Sequence, residues 1–301
     1  MTEMITVRNL VKTFDGFRAL DGLNLSVPSG SVYGMVGPNG AGKSSCIRCL
    51  AGIYKPDSGE ILIDSSPVFE NTALKSRIAY IPDDIFFYTQ ATIRELMKLF
   101  RDVYPSFSTE RFEKLGKAFD LDPKRPIRKF SKGMQKQAAF WLALSTAPDI
   151  VLLDEPVDGL DPLMRRQIWS ILLSEVAERG VTVLVSSHNL RELEDVCDHV
   201  GILDRGKMLL EHSLSDLQEN MVKIQAVFPE GRDLPEGLEI LHRTSTGRLQ
   251  QLILRGKAEE VEKRFAAAEP VYMDVLPLTL EEIFIYELGG NDHAIKNIIL
   301  S

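Results

Sequence analysis

Residues Gly37 to Ser44 read GPNGAGKS. An apolar run, Val32 to Val36, comes immediately before, and Ile47, Leu50 and Ala51 after it fall on one side of a helix. Strand, glycine-rich loop and helix in that order constrain the chain more than any other feature. Glycines at 37, 40 and 42 let backbone N–H groups curl around an anion without side-chain obstruction, and the N-terminus of the following helix favours negative charge. In a G-x-x-x-x-G-K-[ST] loop, Lys43 is expected to reach the β- and γ-phosphates of a nucleotide, and Ser44 to offer its hydroxyl to Mg2+. Pro38, Asn39, Gly40, Ala41, Gly42 and Ser45 belong to the same cradle.

The surrounding pattern is α/β. Ile5 and Val7, then Leu23, Leu25 and Val27, then Val32 to Val36 read as short strands, with a turn at Pro28, Ser29 and Gly30. Strand-like stretches recur at Arg77 to Ile81, Ile150 to Leu153 and Val181 to Val185. The last two are continuous apolar runs, as strands buried on both faces of a parallel sheet require. Ile150 to Glu155 reads IVLLDE, which puts Asp154 at a strand's carboxyl end, where open α/β sheets bind ligands. Asp154 is expected to hold Mg2+ through water. Glu155, one residue on, is the candidate general base for an attacking water.

Residues 84–148 differ. Thr92 and Glu95 fit a capping box, and Ile93, Leu96, Met97, Phe100 and Tyr104 keep helical spacing up to Pro105. The stretch reads as a helical insertion in the α/β core. Ile85, Phe86, Phe87 and Tyr88 run in succession, and four bulky residues in a row cannot all face inward on a regular element, so part of this stretch is expected on the surface. From near residue 215 a small α+β domain is expected. It holds a strand at 221–228, a hairpin about Thr244 to Gly247, a helix at 257–268, a strand at 271–276 and a last helix capped by Thr279 and Glu282. That helix is expected to stop at Gly289 and Gly290, ahead of a tail with Ile295, Ile298 and Ile299.

Composition narrows the partners. The net charge of −8 weighs against nucleic acid as a partner, and no apolar run is long enough to span a bilayer. Met1 to Leu10 alternates polar and apolar residues, unlike a signal peptide. Cys46 and Cys49 form a CxxC with no second ligand pair; with Cys197 the odd count fits a reducing compartment, and the pair reads as small helix residues behind the loop rather than a zinc site.

Three further motifs follow in order: FSKGMQ from Phe130 to Gln135, DGLD from Asp158 to Asp161, and His188 after the strand Val181 to Val185. The ordered set resembles the nucleotide-binding domains of ABC ATPases. FSKGMQ is similar to their signature, DGLD to their D-loop and His188 to their switch histidine. The resemblance covers roughly residues 3–215. It implies a RecA-like P-loop NTPase core with an antiparallel β portion and an inserted α-helical subdomain. Residues 1–215 would form the ATPase domain, with the helical part about 84–148, and 216–301 the C-terminal α+β domain. It further implies a head-to-tail dimer with two ATP molecules between subunits. Ser131 and Gly133 would touch the γ-phosphate held by the other subunit's Lys43, Asp161 would couple the two sites, and His188 would position the water. Phe14 stands where the family stacks a ring on adenine, with Phe17 in reserve. Asp83, in Ala79-Tyr80-Ile81-Pro82-Asp83, stands where the family places a Gln near Mg2+, which puts it with Ser44 and Asp154 in the expected metal site. Lys132 and Met134 replace glycine-type positions of the signature, while Ser131 and Gly133 remain.

The FSKGMQ variant and the ending PLTLEEIFIYEL resemble ATP-binding subunits of bacterial exporters. That resemblance implies integral permease subunits as partners, a second identical or paralogous ATPase, and a place on the cytoplasmic face of the cell membrane. The alternative is a soluble ABC ATPase in nucleic-acid or ribosome-associated work, which would be expected to carry a coiled coil, zinc modules or a second glycine loop; the sequence has none of these.

Overall fold

A computed structural model of the chain describes residues 2–229, 234–235 and 237–288. In chain order the elements are β1 (Glu3–Phe14), β2 (Phe17–Pro28), β3 (Val32–Val36), α1 (Lys43–Leu50), β4 (Ser58–Ile63), β5 (Ser66–Pro67), α2 (Thr72–Lys75), β6 (Ile78–Ile81), α3 (Ile93–Val103), α4 (Thr109–Phe119) and α5 (Lys132–Ser145). There follow β7 (Ile150–Asp154), α6 (Pro162–Arg179), β8 (Thr182–Ser187), β9 (His199–Asp204), β10 (Lys207–Ser213), α7 (Leu214–Glu219), β11 (Met221–Val227), β12 (Glu239–Thr246), β13 (Leu249–Arg255), α8 (Ala258–Ala267), β14 (Tyr272–Leu276) and α9 (Leu280–Ile283). They form two compact units. One runs to His188 and adds Val196–Glu211; the other takes Asn189–Asp195 with the described residues from His212 onward.

The first unit holds two sheets. One is antiparallel, in the order β2-β1-β4-β5; the other has six strands in the order β10-β9-β3-β8-β7-β6. In the larger sheet β9, β3, β8, β7 and β6 pair parallel. Every residue of β3, β7 and β8 is buried, which explains the apolar runs Ile150 to Leu153 and Val183 to Val185 within them. Cys46 and Cys49 pack in the core beneath α1 with Tyr33, Met35 and Leu152. Burial pushes the Cys49 thiol up to about 11 and raises that of Cys46 as well, the opposite of a thiolate ligand.

Helices α3, α4 and α5 make the inserted layer. The Thr92–Glu95 capping box opens α3 as expected. Trp141 of α5 stacks on Phe112 of α4 at 4.7 Å and donates its ring N–H to the Phe112 carbonyl at 2.7 Å. Gly116 is needed one turn on, because a Cβ there would collide with the Trp141 ring.

In the second unit the sheet order is β12-β13-β11-β14, all antiparallel. Val222, Ile224 and Ala226 alternate onto one face, where Leu252, Leu254, Val261 and Phe265 complete a core under α8. A boundary near 215 does not describe this unit fully, because 189–195 joins it. The Arg191 guanidinium forks onto both oxygens of Glu281 at 2.9 Å, and Glu194 accepts the Leu280 N–H at 2.8 Å. Thr279 and Glu282 form the expected capping box, but α9 is one turn long and continues as a wider π-type turn through Leu288. The expected stop at Gly289 and Gly290 and the tail with Ile295, Ile298 and Ile299 lie outside the described residues.

Candidate functional site

Four neighbouring parallel strands end in register at one edge of the larger sheet. Val36 lies opposite Ser187, Asp154 opposite Ser186, and Leu153 opposite Ile81. Each strand end therefore delivers its loop to the same place. Gly37 to Ser44 leave β3, His188 leaves β8, Glu155 leaves β7 and Asp83 leaves β6. A cleft of about 360 Å³ here is lined by Phe14, Phe17, residues 39–45, Asp83 and Glu155. Ser131, Gly133 and Asp161 stand apart from it.

The glycines at either end of the loop have distinct reasons. A Cβ on Gly37 would meet the backbone carbonyl of Leu203, and Gly42 has φ +110°, which side chains rarely tolerate. Gly42 opens α1, whose first turn carries no acidic residue, so the helix presents free N–H groups to an anion. Lys43 is buried. Its ammonium donates to the carbonyls of Gly37 at 2.6 Å and Pro38 at 3.3 Å, and lies 3.3 Å from Oε1 of Glu155.

Asp154 is fully buried. Its Oδ1 accepts from the hydroxyls of Ser44 at 2.9 Å and Ser186 at 2.8 Å, while its Oδ2 is buried without a hydrogen-bond partner. An unpaired buried carboxylate oxygen is costly unless a cation or a held water completes it. One carboxylate with one hydroxyl beside a phosphate loop is the donor set Mg2+ takes, since that ion keeps waters and phosphate oxygens for its other positions. Asp83 lines the same cleft, and its Oδ1 lies 3.7 Å from the Lys136 ammonium.

Glu155 sits at φ +46°, a left-handed conformation that costs a non-glycine residue on the order of 1–2 kcal/mol. Its N–H donates to Ser186 Oγ at 3.1 Å and its carbonyl accepts from Lys136 Nζ at 2.9 Å. Its Oε2 lies 3.0 Å from Nδ1 of His188. Ser186 and Lys136 are not among the residues the sequence points to. Ser186 carries a usable signal, as a hydroxyl closing an apolar strand of the parallel sheet. Nothing local marks Lys136, which sits on a helix and acts on a loop 19 residues away.

Phe14 and Phe17 pair across the tip of the β1–β2 hairpin, whose turn residues Asp15 and Gly16 both have positive φ. Phe14 meets the edge of Tyr54 at 5.2 Å, and Phe17 is the more exposed of the two. Ser131 caps α5 by accepting the Met134 N–H at 3.3 Å, and no acidic residue follows in that first turn. A Cβ on Gly133 would press on Met164 and Leu160. Asp161 caps α6, accepting N–H bonds from Leu163 and Met164 at 3.0 Å. A second hollow, of about 480 Å³, lies beside this motif and is lined by Asp83, Lys132, Gly133, Lys136 and Asp158 among others. A third, apolar and about 300 Å³, is lined by Pro82, Ile85, Phe86, Leu99, Phe100 and Tyr104 among others. Phe86 and Tyr88 are 73 % and 71 % exposed, whereas Phe87 is 8 % exposed. Among the described residues no helix is long and apolar enough to cross a membrane.

The sequence profile described as ABC transporter matches residues 20–158. The chain is 31 % identical over 288 residues to the ABC transporter ATP-binding protein YtrB of Bacillus subtilis, covering 95 % of this chain and 99 % of that one. It is 34 % identical over 222 residues to the bacitracin transport ATP-binding protein BcrA of Bacillus licheniformis, covering 73 % and 72 % of the two chains. Among solved structures, a dimeric ATP-binding cassette in a post-hydrolysis state with ADP and Pi superposes with a TM-score of 0.64 at 25 % identity, over 70 % of this chain and 99 % of that one. These relatives do not favour the soluble nucleic-acid or ribosome-associated alternative. The phosphate loop, the register of the strand ends and the relatives agree: the chain belongs to the family of ABC transporter ATP-binding proteins, with their RecA-like P-loop fold.

Proposed function

We propose that the chain is the ATP-hydrolysing motor of a membrane exporter, working as a head-to-tail pair beneath separate permease subunits on the cytoplasmic face of the membrane. The observation that carries this reading is the convergence of four strand ends on one cleft, with Lys43, Ser44, Asp154, Glu155 and His188 at those ends. Loop N–H groups and Lys43 hold the β- and γ-phosphates, and Phe14 stacks on the base. Ser44 and Asp154 would hold Mg2+, which would neutralise phosphate charge. Glu155 takes a proton from the attacking water, and His188 steadies both.

Ser131 and Gly133, together at the N-terminus of α5 yet outside the Lys43 cleft, suit the γ-phosphate held by a second subunit, and Leu160, next to Asp161, lines the hollow beside Gly133. A dimeric cassette among the solved relatives supports pairing of two subunits. The apolar hollow beside Phe86 and Tyr88 suits a short cytoplasmic segment of a permease. The relative named for bacitracin transport supports a role in transport.

The test is Glu155→Gln. Losing a positioned base lowers turnover by about 10²–10⁴. The variant is expected to bind ATP normally and to accumulate as an ATP-bound dimer on size-exclusion chromatography. Near-normal hydrolysis removes Glu155 from this role.

A further inference from the structure

We propose that Lys136 is a positioning residue for Glu155 and that Asp83 is its counterion; the proposal rests on reading Glu155 as the base. Lys136 projects from α5 and is 9 % exposed. Its ammonium donates to the carbonyls of Glu155 at 2.9 Å and Asp158 at 3.1 Å, and Asp83 Oδ1 lies 3.7 Å away. The two carbonyls bracket the turn that leaves β7.

That turn needs holding. Glu155 has positive φ without being glycine, so its side chain keeps its aim only while the flanking peptides are pinned. Ser186 pins the N–H side from β8, and Lys136 pins the carbonyl side from α5. The 3.0 Å contact of Oε2 with His188 depends on the φ and ψ that these two bonds hold at Glu155. A buried ammonium is costly unless oxygens surround it, and Asp83 supplies the formal negative charge.

Asp83 also links regions. It lines both the Lys43 cleft and the hollow beside Gly133, while its neighbours Pro82 and Ile85 line the apolar hollow. A displacement of residues 82–85 is therefore felt at the Glu155 carbonyl through one ammonium. Asp83 on this view serves Lys136 and not the metal.

The experiment measures steady-state ATPase of the purified full-length chain carrying Lys136→Met, Asp83→Asn, both, or Glu155→Gln. Misplacing a catalytic group by about 1 Å costs up to about 10²-fold, so Lys136→Met is expected to lower kcat about 10-fold or more. Its KM for ATP should stay within about twofold, because phosphate binding is untouched. Asp83→Asn should lower kcat less and leave the Mg2+ concentration for half-maximal activity unchanged. The double variant should be no slower than Lys136→Met alone, since both changes break one unit. Unchanged kcat in Lys136→Met, strictly multiplicative losses, or a raised Mg2+ requirement in Asp83→Asn each overturn the proposal. Should Lys136→Met fail to fold, Asp83→Asn carries the test, its side chain being largely exposed, and an unaltered kcat there overturns the proposal as well. An inactive Glu155→Gln beside a fully active Lys136→Met rejects the positioning role alone; an active Glu155→Gln rejects the base and the positioning role together.

Discussion

Nδ1 of His188 lies 3.0 Å from Oε2 of Glu155, and the same oxygen lies 3.4 Å from the His188 backbone N–H. With Nδ1 donating to the carboxylate, a neutral ring offers Nε2 only as an acceptor; a ring that also donates to a phosphate carries both protons. His188→Ala removes that donor and is expected to lower kcat on the order of 10²-fold. ATP affinity, followed by titration with a fluorescent nucleotide, should change little. A loss of affinity as large as the loss of rate would place His188 in ground-state binding instead.

Ser131→Arg puts a bulky cation at the N-terminus of α5, where the helix dipole already favours an anion. The side chain would occupy the space assigned to the γ-phosphate of a second subunit. ATP should no longer drive dimerisation on size-exclusion chromatography, while each monomer still binds nucleotide. Normal dimerisation and turnover would remove Ser131 from a shared site.

Phe86, Phe87 and Tyr88 are consecutive but differently placed, and this divides their expected effects. Phe86→Ser with Tyr88→Ser alters exposed rings, so basal ATPase activity and melting temperature should hold while association with permease-containing membranes weakens. Phe87→Ser empties a buried position. Losing a buried Phe costs about 3–5 kcal/mol, readable as a lower urea midpoint. Undiminished membrane association in the double variant would clear this stretch of a docking role.

Burial holds the Glu211 carboxyl above its ordinary value of 4.5, with Tyr33, Glu3 and His199 nearby, while it accepts the Ser26 N–H at 3.1 Å. A raised folded-state value means that the folded chain binds the proton more tightly than the unfolded one. The stability this contributes is present below the unfolded value and is lost as pH rises through the folded value. Glu211→Gln keeps the acceptor and cannot ionise. It should melt higher than the parent chain at pH 8, with the gap closing towards about pH 4. A gap independent of pH would contradict the burial account.

Features that the backbone demands locally are legible in the sequence. Gly37 and Gly42 are dictated by close approach and positive φ, and β7 and β8 by burial on both faces, so each leaves a contiguous trace. Thr92 and Thr279 announce their helices because a capping box spans four residues. Lys136, Ser186 and the Arg191–Glu281 fork join positions far apart in sequence, and no periodicity marks them. The strands β4 and β9 escape a reading of the sequence for another reason: half of β4 is exposed and polar, and His199 opens β9 with a residue that reads as loop.

The stretch 189–195 begins at the residue after His188, and its Arg191 and Glu194 find their partners in Glu281 and Leu280. Dissection of the protein has to respect this. A fragment ending near residue 215 carries every motif of the ATPase yet lacks Leu280 and Glu281, which hold the segment that follows His188. Loss of turnover in such a fragment would therefore say nothing against the roles proposed for Glu155 and His188. A domain limit in this chain is better drawn by following hydrogen bonds than by counting along the sequence.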